Sequence, residues 1–200
     1  MESREPVLLN KSPQSVKLPS MIARLTPESC LLLIVDVQTR LLPEMWEAQR
    51  VERNCAVLAK VARRLEIPVV VSEQNPTKIG GTIDSIKEAL GEFSPIAKMR
   101  FSAVPDARLA LEATNRKTVL LCGLEAHICV TQTALDLLTR GFAVFAVYDA
   151  ISSRQEHNRR IGWERLKSAG ALPTSTESAV FELLHTADCP DFKAILALIK

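Results

Sequence analysis

The feature that most constrains the fold is a set of short apolar runs that alternate with amphipathic stretches. The runs lie at 31–37, 69–71, 119–122 and 142–147. Because they are almost unbroken, they predict strands that are buried on both faces, as in a parallel sheet covered by helices. Apolar residues recur at helical spacing between and after them, at 51–65, 109–113, 131–138 and 155–169. Repeated strand–helix units with right-handed crossovers predict a three-layer α/β/α sandwich with a mostly parallel sheet.

The C-terminal third adds two predicted helices. Thr174 and Glu177 have the spacing of a capping box, which predicts a helix that runs to about Leu184. A last helix is predicted over 191–199, and its apolar end is either a subunit contact or a cover for the sheet. No repeat or interior linker divides the 200 residues. We therefore predict one domain at 28–200, preceded by an N-terminal extension at 1–27.

Composition narrows the possible partners and compartments. The net charge of +2 gives no argument for nucleic-acid binding, and no apolar run approaches the roughly 20 residues that span a bilayer. The five cysteines are irregularly spaced without a CxxC pair, which argues against a disulfide framework and a structural zinc site. We therefore expect a reducing compartment, the cytoplasm. The extension carries two glutamates and no long apolar stretch, which argues against secretion and leaves a mitochondrial signal open.

Chemically useful side chains follow three of the predicted strands. Ligands of parallel α/β sheets bind at the carboxyl ends of the strands. Asp36 lies at the end of the first run, Lys98 on a predicted short strand near Ile96, and Cys129 follows the run at 119–122. The sequence therefore predicts a carboxylate, an ammonium group and a thiol at one edge of the sheet.

The predicted trio is suited to nucleophilic catalysis. Cys129 is expected in the first turn of a helix, where free N–H groups, the helix dipole and the Lys98 ammonium favour a thiolate. Asp36 is placed to take the thiol proton and return it to a leaving amine. Each residue alone has an ordinary structural interpretation as a core cysteine, a capping aspartate or a surface lysine. His127 is a poor alternative base, since residues two apart on a helix do not face each other.

These residues resemble the isochorismatase-like cysteine hydrolases over most of the chain, from about Thr26 to Lys200. The similarity is carried by the segments at 33–38, 98–102 and 123–130, which contain the aspartate, the lysine and the cysteine in the family's order. The segments at 72–74, 149–154 and 174–178 are similar to the branch of isochorismatase domain-containing proteins. The resemblance implies a sheet of about six strands with Rossmann-like order. It also implies a cis peptide between Leu124 and Glu125, oxyanion donors at the N–H groups of Glu125 and Cys129, and a homo-oligomer.

The resemblance has limits that shape the functional prediction. Nicotinamidases of the family hold a metal with an Asp and two His after the second strand, and 72–81 contains neither residue type. We therefore predict no metal and no cofactor. The predicted function is hydrolysis of a small amide, ureido or related carbonyl substrate through a thioester. The alternative is an oligomeric interaction or redox-sensing protein with a vestigial triad. Candidate pocket residues beside the site are Gln38, Gln74, Asn75 and Phe101, with Trp46 reaching over it.

Overall fold

The computed structural model describes residues 23–199, which form a six-stranded sheet with helices on both faces. The strands are β1 (Cys30–Val35), β2 (Val69–Gln74), β3 (Ile96–Lys98), β4 (Thr118–Leu124), β5 (Ala143–Ser152) and β6 (Leu172–Thr174). Their order is β3-β2-β1-β4-β5-β6, and all neighbouring pairs are parallel. This confirms the predicted α/β/α sandwich with Rossmann-like strand order.

Eight helices connect or follow the strands in the described residues. They are α1 (Ala48–Arg64), α2 (Pro76–Ile79), α3 (Asp84–Leu90), α4 (Val104–Ala113), α5 (Thr131–Thr139), α6 (Glu156–Ser168), α7 (Thr176–Leu184) and α8 (Phe192–Ile199). A 3-10 turn occupies Leu42–Glu44, and a π-helical segment, Ala126–Val130, leads directly into α5. The short elements α2, α3 and β6 were not predicted, because their apolar residues are too few to show a period.

The core has two halves, one on each face of the sheet. One half is built on α1, α3, α7 and α8, and the other on α4, α5 and α6. The strands β1 and β4 are buried along their whole length, which explains their unbroken apolar runs. The C-terminal helix α8 packs against α1 through the buried Ile195, so it covers the core within this chain.

Two boundaries differ from the sequence prediction. The N-cap of α7 is Ser175, whose hydroxyl accepts from the Ser178 N–H, so the predicted capping box at Thr174 and Glu177 is wrong by one residue. Most of the predicted extension at 1–27 lies outside the described residues. Within the described part of the extension, Leu25 is buried and its N–H donates to the Glu182 carboxylate on α7.

Candidate active site

The side chains of Asp36, Lys98 and Cys129 meet at the carboxyl edge of the sheet. In the sheet, β3, β2, β1 and β4 are consecutive neighbours. Asp36 follows β1, Lys98 ends β3, and Cys129 follows β4, so the three residues come from one half of the sheet. Asp36 lies one residue beyond β1 in the left-handed region, with φ of 53°. That conformation costs a residue with a Cβ roughly 1–2 kcal/mol, and such positions cluster at functional sites.

Asp36 and Lys98 form an ion pair that is closed to solvent. The Lys98 Nζ lies 2.6 Å from Asp36 Oδ2, and neither side chain is exposed. The other carboxylate oxygen of Asp36 accepts from the Ser72 hydroxyl at 2.7 Å. A buried pair of this kind costs desolvation energy that well-packed apolar side chains avoid, so it is weak evidence for stability. It is better evidence for a functional site.

Lys98 is held in place by four acceptors. Besides Asp36, its ammonium group donates to Gln74 Oε1 at 2.7 Å and to the carbonyls of Arg100 and Phe101 at 3.2 and 3.1 Å. An ammonium group has three protons, so no donor remains unused. The ammonium therefore has one fixed position beside the carboxylate.

The sequence predicts Cys129 in the first turn of a regular helix. In the structure Cys129 lies in the π-helical segment that precedes α5. Only 7% of the residue is exposed. Burial raises the pKa of the thiol to about 12, and the charge of Asp36 acts in the same direction, while Lys98 lowers it. The predicted low-pKa thiolate is therefore wrong for the resting protein. Because Asp36 is close and anionic, it disfavours a thiolate and is also placed to accept the thiol proton.

The segment that carries Cys129 is packed closely against α6, and the end of β4 before it is packed closely against β1. A Cβ at Gly162 of α6 would lie 2.7 Å from both the Ala126 carbonyl carbon and the His127 nitrogen. Gly123, with φ of 118°, has the Val35 carbonyl directly where a Cβ would be. Both glycines thus permit main-chain approaches that no other residue allows.

The main chain before Cys129 contains the cis peptide bond between Leu124 and Glu125. The Glu125 carboxylate accepts from the main-chain N–H and the guanidinium of Arg154 at 3.1 and 3.2 Å. The His127 Nδ1 lies 2.9 Å from the Ser153 hydroxyl oxygen, and burial lowers the pKa of this imidazole. Both side chains are therefore bonded to the turn after β5.

The predicted pocket residues fall into different environments. Gln38 is fully buried and bonds only main-chain atoms of Gln74 and Gly80, so it anchors the loop after β2 and does not face a ligand. Gln74 binds Lys98 and the Met99 carbonyl. Phe101 is 52% exposed and offers its carbonyl to Lys98.

A cavity of about 700 Å³ lies beside Lys98. Its wall includes Asn75, the fourth predicted pocket residue, together with Met99 and Arg100, but not Cys129. Arg100 is paired there with Asp106 at 3.2 Å. The cavity thus adjoins Lys98, whose side chain is closed to solvent, while the thiol itself is covered.

Trp46 lies just before α1 and is tied to the turn after β5. The main-chain N–H of Trp46 donates to the Ser153 carbonyl at 3.0 Å, and the main-chain carbonyl of Trp46 accepts from the Ser152 hydroxyl at 2.6 Å. The guanidinium of Arg159 lies 5.2 Å from the Trp46 ring centroid. Arg159 is buried and donates to the main-chain carbonyls of Ile151 and Tyr148.

Ser72 and the lysine-binding role of Gln74 were not predicted from the sequence. A signal existed, because Ser72 is the first polar residue of the β2 run, and β2 pairs with β1 so that Ser72 lies opposite Val35. A polar side chain at that register position is the natural neighbour of Asp36. Register between parallel strands, however, cannot be read from one sequence.

Between residues 23 and 199, no cluster of three or more His, Cys, Asp or Glu is arranged to hold a metal ion. No helix in the same range has both the length and the hydropathy needed to cross a membrane.

The sequence is similar to a known domain family and to several known proteins. The family model of the isochorismatase domain matches residues 30–178. The secreted isochorismatase effector Isc1 of Phytophthora sojae (strain P6497) is 39% identical over 185 residues, covering 90% of this chain and 88% of that protein. Isochorismatase domain-containing protein 2A of Mus musculus is 36% identical over 180 residues, covering 90% and 86%.

The fold is also similar to that of several solved structures. The MAR1 ribonuclease of Caenorhabditis elegans is 36% identical with a TM-score of 0.84, covering 88% of this chain and 92% of that one. YcaC of Pseudomonas aeruginosa, described with hexane-2,5-diol and covalent acrylamide, is 27% identical with a TM-score of 0.83, covering 90% and 93%. YcaC of Escherichia coli, described as an octameric hydrolase of unknown specificity, is 26% identical with a TM-score of 0.82, covering 90% of each chain.

Proposed function

This chain belongs to the isochorismatase family, and we propose that it is a metal-independent cysteine hydrolase of a small amide, ureido or related carbonyl compound. Membership of the family implies hydrolase activity; the bond and the mechanism are our proposal. The observation that carries it is the fully buried Asp36–Lys98 ion pair beside the buried thiol of Cys129. A carboxylate that is fixed and desolvated next to a protonated thiol is suited to general-base catalysis.

In the first half-reaction, Cys129 attacks the substrate carbonyl. Because the resting thiol is protonated, Asp36 takes its proton as the sulfur–carbon bond forms. Lys98 holds the carboxylate in position and balances its charge. Asp36 then gives the proton to the departing nitrogen, the carbon–nitrogen bond breaks, and an amine and a thioester remain.

In the second half-reaction, water cleaves the thioester. Asp36 takes a proton from the water as the oxygen attacks the carbonyl carbon, and it returns that proton to the sulfur as the carbon–sulfur bond breaks. The products are a carboxylic acid, or a carbamic acid from a ureido substrate, and the free thiol. The N–H groups of Glu125 and Cys129 are proposed to hold the oxyanion in both steps. We propose that the substrate approaches through the cavity beside Lys98.

A covalent adduct in a relative supports a reactive nucleophile in this fold. The Pseudomonas aeruginosa YcaC structure is described with covalent acrylamide, which is an electrophilic amide. We therefore expect acrylamide to modify Cys129 of this chain as well.

Cleavage of RNA is the competing function raised by the name of the Caenorhabditis elegans relative. The structure offers little support for it at this edge of the sheet. The exposed Arg100 and Arg154 beside the site are paired with Asp106 and Glu125, so they present no unpaired charge for a phosphate backbone. Incubation with single-stranded RNA tests this alternative, and Cys129-dependent cleavage would replace the amide proposal.

A vestigial or redox-sensing site is also less well supported. Redox-sensing cysteines have a low pKa and are accessible, whereas Cys129 is buried with a raised pKa. The ion pair that a hydrolase needs is also intact.

The experiment that tests the proposal is a screen of small primary amides and ureido compounds with the purified chain. We expect turnover of some members and an acyl-enzyme visible by intact mass. Cys129→Ala and Cys129→Ser should lower turnover by roughly 1,000-fold or more while the fold is kept. Cys189→Ser is the matched control, since Cys189 lies in the turn before α8. Full activity in either Cys129 variant would refute the mechanism.

We further propose that the protein works as a homo-oligomer. The Escherichia coli YcaC is described as octameric. In this chain Met99 and Phe101 lie two residues apart beside the candidate site and are 71% and 52% exposed, so a partner subunit could cover both. Light scattering on the purified protein tests this, and a monomer would contradict it. The predicted cytoplasmic location stays a prediction.

A further inference from the structure

A second cavity, of about 380 Å³, opens at the edge of the sheet where β4 and β5 begin, opposite the candidate active site. Its wall carries four cationic side chains from separate parts of the chain. Arg108 comes from α4, Arg116 and Lys117 from the loop before β4, and Arg140 from the end of α5. Glu112 is the one carboxylate in the lining.

The positive charges of this cavity are not neutralised by ion pairs within residues 23–199. Every ion pair found in that range involves other cations. Among the described residues, the Arg140 guanidinium donates to the Asp136 carbonyl at 3.2 Å and to no carboxylate, and the Lys117 Nζ lies 4.9 Å from the Phe142 ring centroid. The arginines beside the candidate active site, in contrast, are paired. Like charges gathered in a concave surface repel one another and focus the electrostatic potential, so they favour an anion in that space.

We propose that this cavity binds a small anion that carries two or three phosphate groups. Guanidinium groups match phosphate oxygens with paired hydrogen bonds, and cations on several sides suit a ligand with more than two negative charges. The volume falls within the range of small-molecule sites. An open pocket of this volume, unlike an extended basic stripe, fits a compact ligand better than the backbone of a polymer. This site is separate from the catalytic triad and does not depend on the proposed hydrolase activity.

The test is isothermal titration calorimetry of the full chain with inorganic tripolyphosphate. We expect saturable binding with one site per chain that weakens as salt is raised. Arg108→Gln and Arg116→Gln should each weaken binding by roughly tenfold or more, because each removes charge-assisted hydrogen bonds. Arg165→Gln removes the same charge from the exposed face of α6, outside the cavity, and should leave the affinity within twofold.

Two further titrations distinguish this cavity from the catalytic edge and a compact polyphosphate from a nucleic-acid ligand. Cys129→Ser should bind tripolyphosphate like the wild type, because the catalytic edge is not involved. A single-stranded oligonucleotide should bind more weakly than tripolyphosphate at equal phosphate concentration. The proposal is overturned by absent saturation, by several equivalent sites per chain, by equal losses in the cavity and control variants, or by tighter binding of the oligonucleotide.

Discussion

Replacement of Gly162 by alanine tests whether close helix packing sets the position of the nucleophile. The added Cβ would lie 2.7 Å from the Ala126 carbonyl carbon and the His127 nitrogen, and 2.9 Å from the Ala126 oxygen. Carbon contacts are comfortable at about 3.5 Å or more, so α6 and the nucleophile segment must separate by roughly 0.8 Å. Cys129 lies two residues beyond His127 and moves with that segment.

Two energies of opposite sign decide the stability of Gly162→Ala. Overpacking of this kind costs about 1–3 kcal/mol. Alanine is favoured over glycine inside a helix by about 1 kcal/mol. We therefore expect a net loss of roughly 1 kcal/mol in the free energy of unfolding, measured by urea denaturation. Turnover of an amide found by the screen should fall much further, by about 100-fold, because a misplacement near 1 Å has that effect on a catalytic geometry.

Gly170→Ala is the matched control for this prediction. Gly170 follows the same helix with φ of 99°, and no atom lies within 4 Å of the position of its Cβ. Alanine there is strained by roughly 1–2 kcal/mol through the backbone alone, without displacing the nucleophile. It should lose stability like Gly162→Ala and keep its turnover. The reasoning fails if Gly162→Ala is more stable than the wild type, or if both variants keep turnover within twofold.

Three further predictions concern the ion pair and the thiols. Asp36→Asn should lower the pKa of Cys129, so iodoacetamide should alkylate this thiol faster at pH 8–9 although turnover is abolished. Alkylation is measured by peptide mass spectrometry, and slower alkylation than in the wild type would contradict the prediction. Lys98→Met should lower the free energy of unfolding, measured by urea denaturation, by about 3–5 kcal/mol, because the charge of Asp36 is left buried without a cation. The double variant with Asp36→Asn should regain most of that free energy, and additive losses in the two single variants would refute the coupling. Cys30 and Cys129 both have a pKa raised from 9.0 to about 12, so the folded state holds protons that the unfolded state releases, and stability should fall as pH rises above 9. The free energy of unfolding should fall by up to roughly 1.4 kcal/mol per pH unit for each cysteine. Cys30→Ala should make this fall with pH less steep, and the same steepness as in the wild type between pH 9 and 11 would contradict the prediction.

The architecture and the meeting of three residues could be predicted from the sequence, because both rest on burial patterns. Continuous apolar runs identify strands that are covered on both sides, and parallel strands bring their carboxyl ends to one edge. This places Asp36, Lys98 and Cys129 in the same region without knowledge of any distance. Element boundaries were less predictable, since β5 extends five residues beyond its predicted end at 147.

The local chemistry of the site could not be predicted. The thiol was expected to be acidic because it follows a strand at a helix start, but its pKa depends on how completely the surrounding segments bury it. Gln38 was placed in the pocket by its sequence position, yet the register of its loop with β2 turns its amide to the main chain. Both features depend on tertiary packing over long sequence separations, which one sequence does not encode in any short pattern.

The raised pKa of Cys129 has a consequence for the lifetime of the protein. Peroxide oxidises thiolates far faster than thiols, and the raised pKa leaves the folded resting chain few thiolates at this position near neutral pH. While the chain is unfolded, the same cysteine has an ordinary pKa and is open to damage. Folding is therefore expected to protect this thiol from oxidation, and under the proposed mechanism it becomes nucleophilic when Asp36 removes its proton as the substrate carbonyl approaches.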